Sequence, residues 1–64
     1  MAYVDPTAEI GQQTTIYPFA FVGPRARIGR NCVLYPGVCV YDDCVIGDRV
    51  TIHANAVIGQ DGFG

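Results

Sequence analysis

IGRNCVLYPGVCVYDDCV, from Ile28 to Val45, is three six-residue units in a row, each beginning with an aliphatic residue. Moving back eighteen residues gives IGQQTTIYPFAFVGPRAR, Ile10 to Arg27, and moving forward gives IGDRVTIHANAVIGQDGF, Ile46 to Phe63. Both shifts place aliphatic on aliphatic and IG on IG. A fixed internal period marks a solenoid, in which no repeat can bury its apolar face without its neighbours.

The six-residue beat extends well beyond this stretch. Val4, Ile10, Ile16, Val22, Ile28, Leu34, Val40, Ile46, Ile52 and Ile58 form one unbroken frame of ten positions, taken from only fifteen Val, Ile and Leu residues in the chain. Four residues after each ladder position stands a small or medium side chain: Ala8, Thr14, Ala20, Ala26, Cys32, Val38, Cys44, Val50 and Ala56. These form a second inward column. A helix needs apolar residues at a period near 3.6, and a half-buried strand needs strict alternation; six fits neither. It fits short strands carrying the aliphatic residue inward, joined by turns at the third and fourth positions of each unit. Pro6, Pro18, Pro24, Pro36, Asp42 and Asp48 occupy third positions, and Asn31, Gly37, Asp43, Asn55 and Asp61 occupy fourth positions. All are residue types that fix or tolerate turn angles.

Three walls then close one coil, with coils at 4–21, 22–39 and 40–57 and a partial fourth from Ile58. The expected domain is a single unit over 4–63, with 1–3 as an N-terminal extension. Residues eighteen apart become neighbours at the roughly 4.8 Å spacing of paired strands. Glu9 is thereby expected against Arg27, Arg25 against Asp43, and Arg30 against Asp48. Each such exposed pair favours register and contributes only about 0 to 1 kcal/mol.

Composition narrows the function classes. A chain of 64 residues buries little surface, so its stability is expected to need help from association. No apolar run approaches the roughly 20 residues of a membrane span, and MAYVDPTAEI does not read as a secretory leader; the expected location is the cytoplasm. Net charge is −2, with four arginines and no lysine, which argues against a basic nucleic-acid surface. Cys32, Cys39 and Cys44 lack the C-x-x-C spacing of a structural zinc site and are expected as reduced, packed thiols. Neither cofactor nor metal is expected.

Second positions sort by wall. Asp5, Gly23, Tyr41 and Gly59 share one, Gly11, Gly29 and Gly47 another, and Tyr17, Tyr35 and His53 the third, which is a column of rings. That column, widened by Phe19, Phe21 and Tyr41, reads as a subunit contact. His53 is the sole histidine and the candidate general base, although no acid is fixed beside it by the sequence. The beat stops in VIGQDGFG, Val57 to Gly64, where Gly64 stands at the next aliphatic position. Gly62 and Gly64 free the backbone there, and Asp61 offers a carboxylate.

The repeat resembles the hexapeptide-repeat family over essentially the whole chain. The resemblance implies an all-β fold: a left-handed parallel β-helix of triangular section, with about three and a half coils. DGFG at the end of a coil is similar to the UDP-3-O-acylglucosamine N-acyltransferases of lipid A biosynthesis. DPTAEIG and IYPFAFVGPRARIG are shared more widely, including with O-acyltransferases of the same repeat family. The resemblance implies 3-hydroxyacyl transfer from acyl carrier protein to the 2-amine of a UDP-acylglucosamine, by a homotrimer with sites between subunits. It implies a substrate-lining role for Asp61, Gly62, Phe63 and Gly64. The family's catalytic histidine lies in an I-x-H-N context in a later coil, so TIHANAVIG places His53 too early to inherit that role. The chain therefore reads as a β-helix portion of such an enzyme, inactive alone. The alternative is a scaffold without catalysis that associates through its faces or by stacking coil ends.

Overall fold

The computed structural model describes residues 1–59. Ten two-residue strands follow the six-residue beat: β1 Tyr3–Val4, β2 Glu9–Ile10, β3 Thr15–Ile16, β4 Phe21–Val22, β5 Arg27–Ile28, β6 Val33–Leu34, β7 Cys39–Val40, β8 Val45–Ile46, β9 Thr51–Ile52 and β10 Val57–Ile58. In each, the second residue is the ladder residue. Every third strand shares a sheet, giving β1-β4-β7-β10, β2-β5-β8 and β3-β6-β9, all parallel. The register is eighteen throughout, as in Glu9 opposite Arg27 and Leu34 opposite Ile52. The first strand takes in Tyr3, whose N–H donates to the Ala20 carbonyl at 2.9 Å.

Strands this short hold because each coil is zipped to the next along its whole length. Residues flanking the ladder position donate to carbonyls seventeen residues on, as in Phe21 to Val38 at 2.7 Å and Gly23 to Val40 at 2.8 Å. Corners are zipped as well. The N–H groups of Asn31, Asp43, Arg49 and Asn55 donate at 2.8–3.1 Å to the carbonyls of Gln12, Pro24, Arg30 and Pro36 in the coil before. To do so the fourth residue of every unit from Gln13 to Asn55 adopts a left-handed backbone, with φ between 58° and 77°. Asn and Gly accept this readily. For Gln13, Phe19, Arg25 and Arg49 it costs on the order of 1 kcal/mol each. The first corner is the exception, since Thr7 is not left-handed; there the Thr7 hydroxyl stands in for a carbonyl and accepts the Arg25 N–H at 2.9 Å.

The core is the axis of the prism. Val22, Ile28, Leu34, Val40, Ile46 and Ile52 are buried from the ladder, with Ala20, Ala26, Cys32 and Val38 from the corner column. Two corner side chains also satisfy backbone. Thr14 Oγ1 donates to the Gly29 carbonyl at 2.7 Å, and the Cys32 thiol donates to the Gly47 carbonyl at 3.1 Å one coil on. Cys32, Cys39 and Cys44 are free thiols.

The IG column is what lets the second wall close. A Cβ built on Gly11 would lie 2.5 Å from the Gly29 carbonyl carbon, and one on Gly29 would lie 2.8 Å from the Gly47 carbonyl carbon and against the Asp48 carboxylate. Asp48 fills that space because it caps the coil. Its Oδ1 accepts the Arg30 backbone N–H at 2.9 Å. This corrects the expectation for the third charge pair: Asp48 does sit over Arg30, but the corner N–H is nearer than the guanidinium. The other two pairs form as expected. Arg25 grips Asp43 in a two-pronged contact of 2.8 and 3.2 Å, and Arg27 faces Glu9 at 3.8 Å.

Candidate functional site

Tyr17, Tyr35 and His53 follow β3, β6 and β9, so the coil pitch itself stacks their rings. Tyr17 and Tyr35 have centroids 5.1 Å apart with planes at 28°, and Tyr35 and His53 are 6.0 Å apart and nearly parallel at 2°. The backbone holds this spacing, since Tyr17 and Tyr35 donate their N–H groups to Leu34 and Ile52 at 2.9 and 3.0 Å. A second stack lies across the next corner, where Tyr3 and Phe21 are 5.4 Å apart on the outer face of the β1-β4-β7-β10 sheet.

His53 is exposed at the end of its column. Among the described residues no carboxylate forms an ion pair or a side-chain hydrogen bond with it. Asn55, two residues on, is turned toward the coil before, where its Oδ1 occupies the space a Gly37 side chain would need. Among the described residues the arrangement gives His53 an aromatic neighbour and no partner to orient a proton transfer. Asp61, Gly62, Phe63 and Gly64 lie outside the described residues. The approach to them is marked by Gly59, which sequence reasoning placed only as a column member. Its φ of 88° makes it the one left-handed second position among the described residues. Cys44 Sγ lies where a Gly59 side chain would be. The signal available in the sequence was the failure of the beat after Ile58.

A depression lies elsewhere among the described residues. About 350 Å³ in volume and open, it lies along the β2-β5-β8 sheet between Thr7, Glu9, Arg25, Arg27, Asp43 and Val45. Its charges are committed to one another through the Arg25–Asp43 and Arg27–Glu9 contacts, so it is a charged flank of the prism with no free reactive group. No group of three potential metal-ligating side chains occurs among the described residues.

Electrostatics on this flank bind the coils in a line. Asp5 accepts the Thr7 N–H at 2.9 Å and the Thr7 hydroxyl at 2.6 Å, Thr7 accepts from Arg25, and Arg25 donates to Asp43. The Arg25 hydrogen bond holds the Asp43 carboxyl below its ordinary 3.8, and the Thr7 bonds do the same for Asp5. Carboxyls whose folded-state pKa is depressed add stability above the usual carboxylate range and lose it as pH falls through the folded value. Thermal melts across the acid range are therefore expected to show the midpoint falling below pH 4, and Asp43→Asn to flatten that fall. An equally steep profile in the variant would remove Asp43 from the account.

Comparison with known proteins agrees with the coil. The pattern described as bacterial transferase hexapeptide (six repeats) matches residues 7–40 and 25–60. The UDP-3-O-acylglucosamine N-acyltransferase 1 of Gloeobacter violaceus is 56% identical over 64 residues, covering 100% of this chain and 18% of that protein. The UDP-3-O-acylglucosamine N-acyltransferase of Paraburkholderia phytofirmans is 59% identical over 27 residues, 42% of this chain and 7% of that protein. The chain thus spans less than a fifth of the length of these relatives. Three parallel sheets wound at eighteen residues per coil, with the repeat matched across most of the length, make this a left-handed parallel β-helix, and the chain belongs to the bacterial transferase hexapeptide-repeat family.

Proposed function

We propose that this chain is the early β-helix of an acyl-carrier-protein-dependent N-acyltransferase of lipid A biosynthesis, acting in the cytoplasm as part of a homotrimer. The observation that carries the reading is identity of 56% to the Gloeobacter relative along the whole chain, DGFG region included. In that reaction the 2-amine of a UDP-acylglucosamine attacks the thioester carbonyl of a 3-hydroxyacyl carrier protein. A C–N bond forms, the C–S bond breaks, a base takes the amine proton and the carrier thiol leaves. The coil contributes placement, a rigid wall through Ile58, and the role of lining the substrate groove is assigned to Asp61, Gly62, Phe63 and Gly64. His53, stacked on Tyr35 with no acid among its described neighbours, is assigned to the wall and not to proton transfer.

The test is a chimera in which this chain replaces the matching segment of the Gloeobacter enzyme, assayed with acyl carrier protein thioester and the UDP-sugar amine. Turnover is expected to persist, to survive His53→Ala within a few-fold, and to fall with Asp61→Ala. A folded chimera that fails with the amine but acylates a UDP-sugar hydroxyl would move the assignment to O-acyl transfer. Turnover by the isolated chain that His53→Ala abolishes would overturn the division of labour proposed for the coil.

A further inference from the structure

We infer that Tyr41 and Asp42 form a subsite for the sugar ring of the acceptor, the Tyr41 ring packing on the pyranose face and the Asp42 carboxylate accepting from its hydroxyl and amine groups. The assignment of the ligand rests on the acyl-transfer reading above.

Tyr41, expected among the rings of the subunit contact, stands apart from them. The other rings on the walls stack one coil apart: Tyr3 on Phe21 at 5.4 Å, Tyr17 on Tyr35 at 5.1 Å and Tyr35 on His53 at 6.0 Å. In the column of Tyr41 the register puts Gly23 in the coil before and Gly59 in the coil after, so neither neighbour offers a side chain. Tyr41 is 40% exposed, and among the described residues its ring stacks on no other and its hydroxyl has no hydrogen-bond partner. At a coil pitch of about 4.8 Å, a rung that a ring could occupy is left empty.

The two glycines differ. Gly23 is buried, and a Cβ there would lie 3.0 Å from the Asp42 backbone nitrogen, so backbone closes that side of the column. Gly59 is exposed, and the atoms nearest a Cβ there belong to side chains, those of Cys44 and of Tyr41 itself, the Tyr41 Cβ at 3.6 Å. A side chain at 59 would stand against Tyr41; glycine leaves Tyr41 uncovered on that side among the described residues. Gly59 is also two residues before Asp61 in the chain, which ties the uncovered ring to the stretch assigned to the groove.

Asp42 selects the class of ligand. Arg25 is taken by Asp43, so the exposed Asp42, next in the chain to Tyr41, has no ion pair or side-chain hydrogen bond among the described residues. A sugar satisfies both groups at once: its C–H face packs on the electron-rich ring, and its O–H and N–H groups donate to the carboxylate, which can only accept. An acyl chain brings no donor for Asp42, and a phosphate would meet a like charge there.

The test reads the chimera described above in two ways, by saturation transfer from the protein to the protons of the UDP-acylglucosamine and by steady-state kinetics. The pyranose protons are expected to receive transfer that Tyr41→Ala weakens. The same variant is expected to raise KM for the UDP-sugar about tenfold, the loss of one aromatic contact, with kcat and the KM for the thioester little changed. Tyr41→Phe, which keeps the ring, is expected to restore both readouts, and Asp42→Asn to raise the UDP-sugar KM alone. Pyranose transfer undiminished in Tyr41→Ala, a loss confined to the uracil protons, or a defect spread equally over kcat and both KM values would each overturn the inference and leave the acyl-transfer reading standing. A chimera that binds the UDP-sugar through Tyr41 yet transfers no acyl group would overturn that reading and leave the subsite. Absence of any UDP-sugar binding would overturn both.

Discussion

Gly29→Ala is expected to unfold the chain at room temperature, or to lower its stability by about 3 kcal/mol, the upper end for forcing atoms into a packed wall. The added methyl would lie 2.8 Å from both the carbon and the oxygen of the Gly47 carbonyl and against the Asp48 carboxylate. Neither can yield alone. Gly47 is in the ladder through Ile46, and Asp48 holds the Arg30 N–H. Gly11→Ala meets the backbone of Gly29 and Arg30 at 2.5–2.8 Å and is expected to behave alike. Gly47 is the internal control. It shares the column, but a Cβ there has nothing within 4 Å among the described residues, so Gly47→Ala is expected to change stability by no more than about 0.5 kcal/mol. Urea melts of the three variants decide the matter; three equal losses would mean that the glycines act through backbone freedom and not through coil spacing.

The second large effect is expected at Leu34, the biggest of the fully buried side chains. It lies at the middle of the prism, opposite Ile16 in the coil before and Ile52 in the coil after. Leu34→Ala leaves a cavity that two-residue strands, pinned on both sides, cannot collapse to fill. The expected loss is about 2 to 5 kcal/mol, most of the stability a chain this size possesses. Val57→Ala, on the half-exposed outer face of β10, is expected to cost little. If denaturant midpoints placed the two side by side, the core would not be where the ladder puts it.

Much of this architecture was legible because burial in a solenoid repeats. One aliphatic residue per six specified every strand, and the small fifth residues specified the inner corners, so Val4 to Ile58 could be placed without coordinates. The corners were half legible. Asn31, Gly37 and Asn55 announce a left-handed residue, but Phe19, Arg25 and Arg49 do not, and adopt it because a corner N–H must reach the coil before. The Arg30 to Asp48 pairing failed for a related reason: equal register fixes which residues meet, not which of their atoms. The ring column was legible from Tyr17, Tyr35 and His53. What His53 does was not, because a general base is defined by what orients it, and no residue near it in the chain had to be that neighbour.

The equivalence of the six-residue units has a consequence for how such a chain can change. Deleting one unit, or inserting one, leaves every ladder residue pointing at the axis, so the core survives the edit. Everything after the edit, however, is turned by one wall: rings would follow charges along an edge, and each stacked column would break at that point. Loss of a whole coil shortens the prism and keeps every column intact. Lengths in this chain are thus quantised twice, in sixes for stability and in eighteens for the alignment of its surfaces.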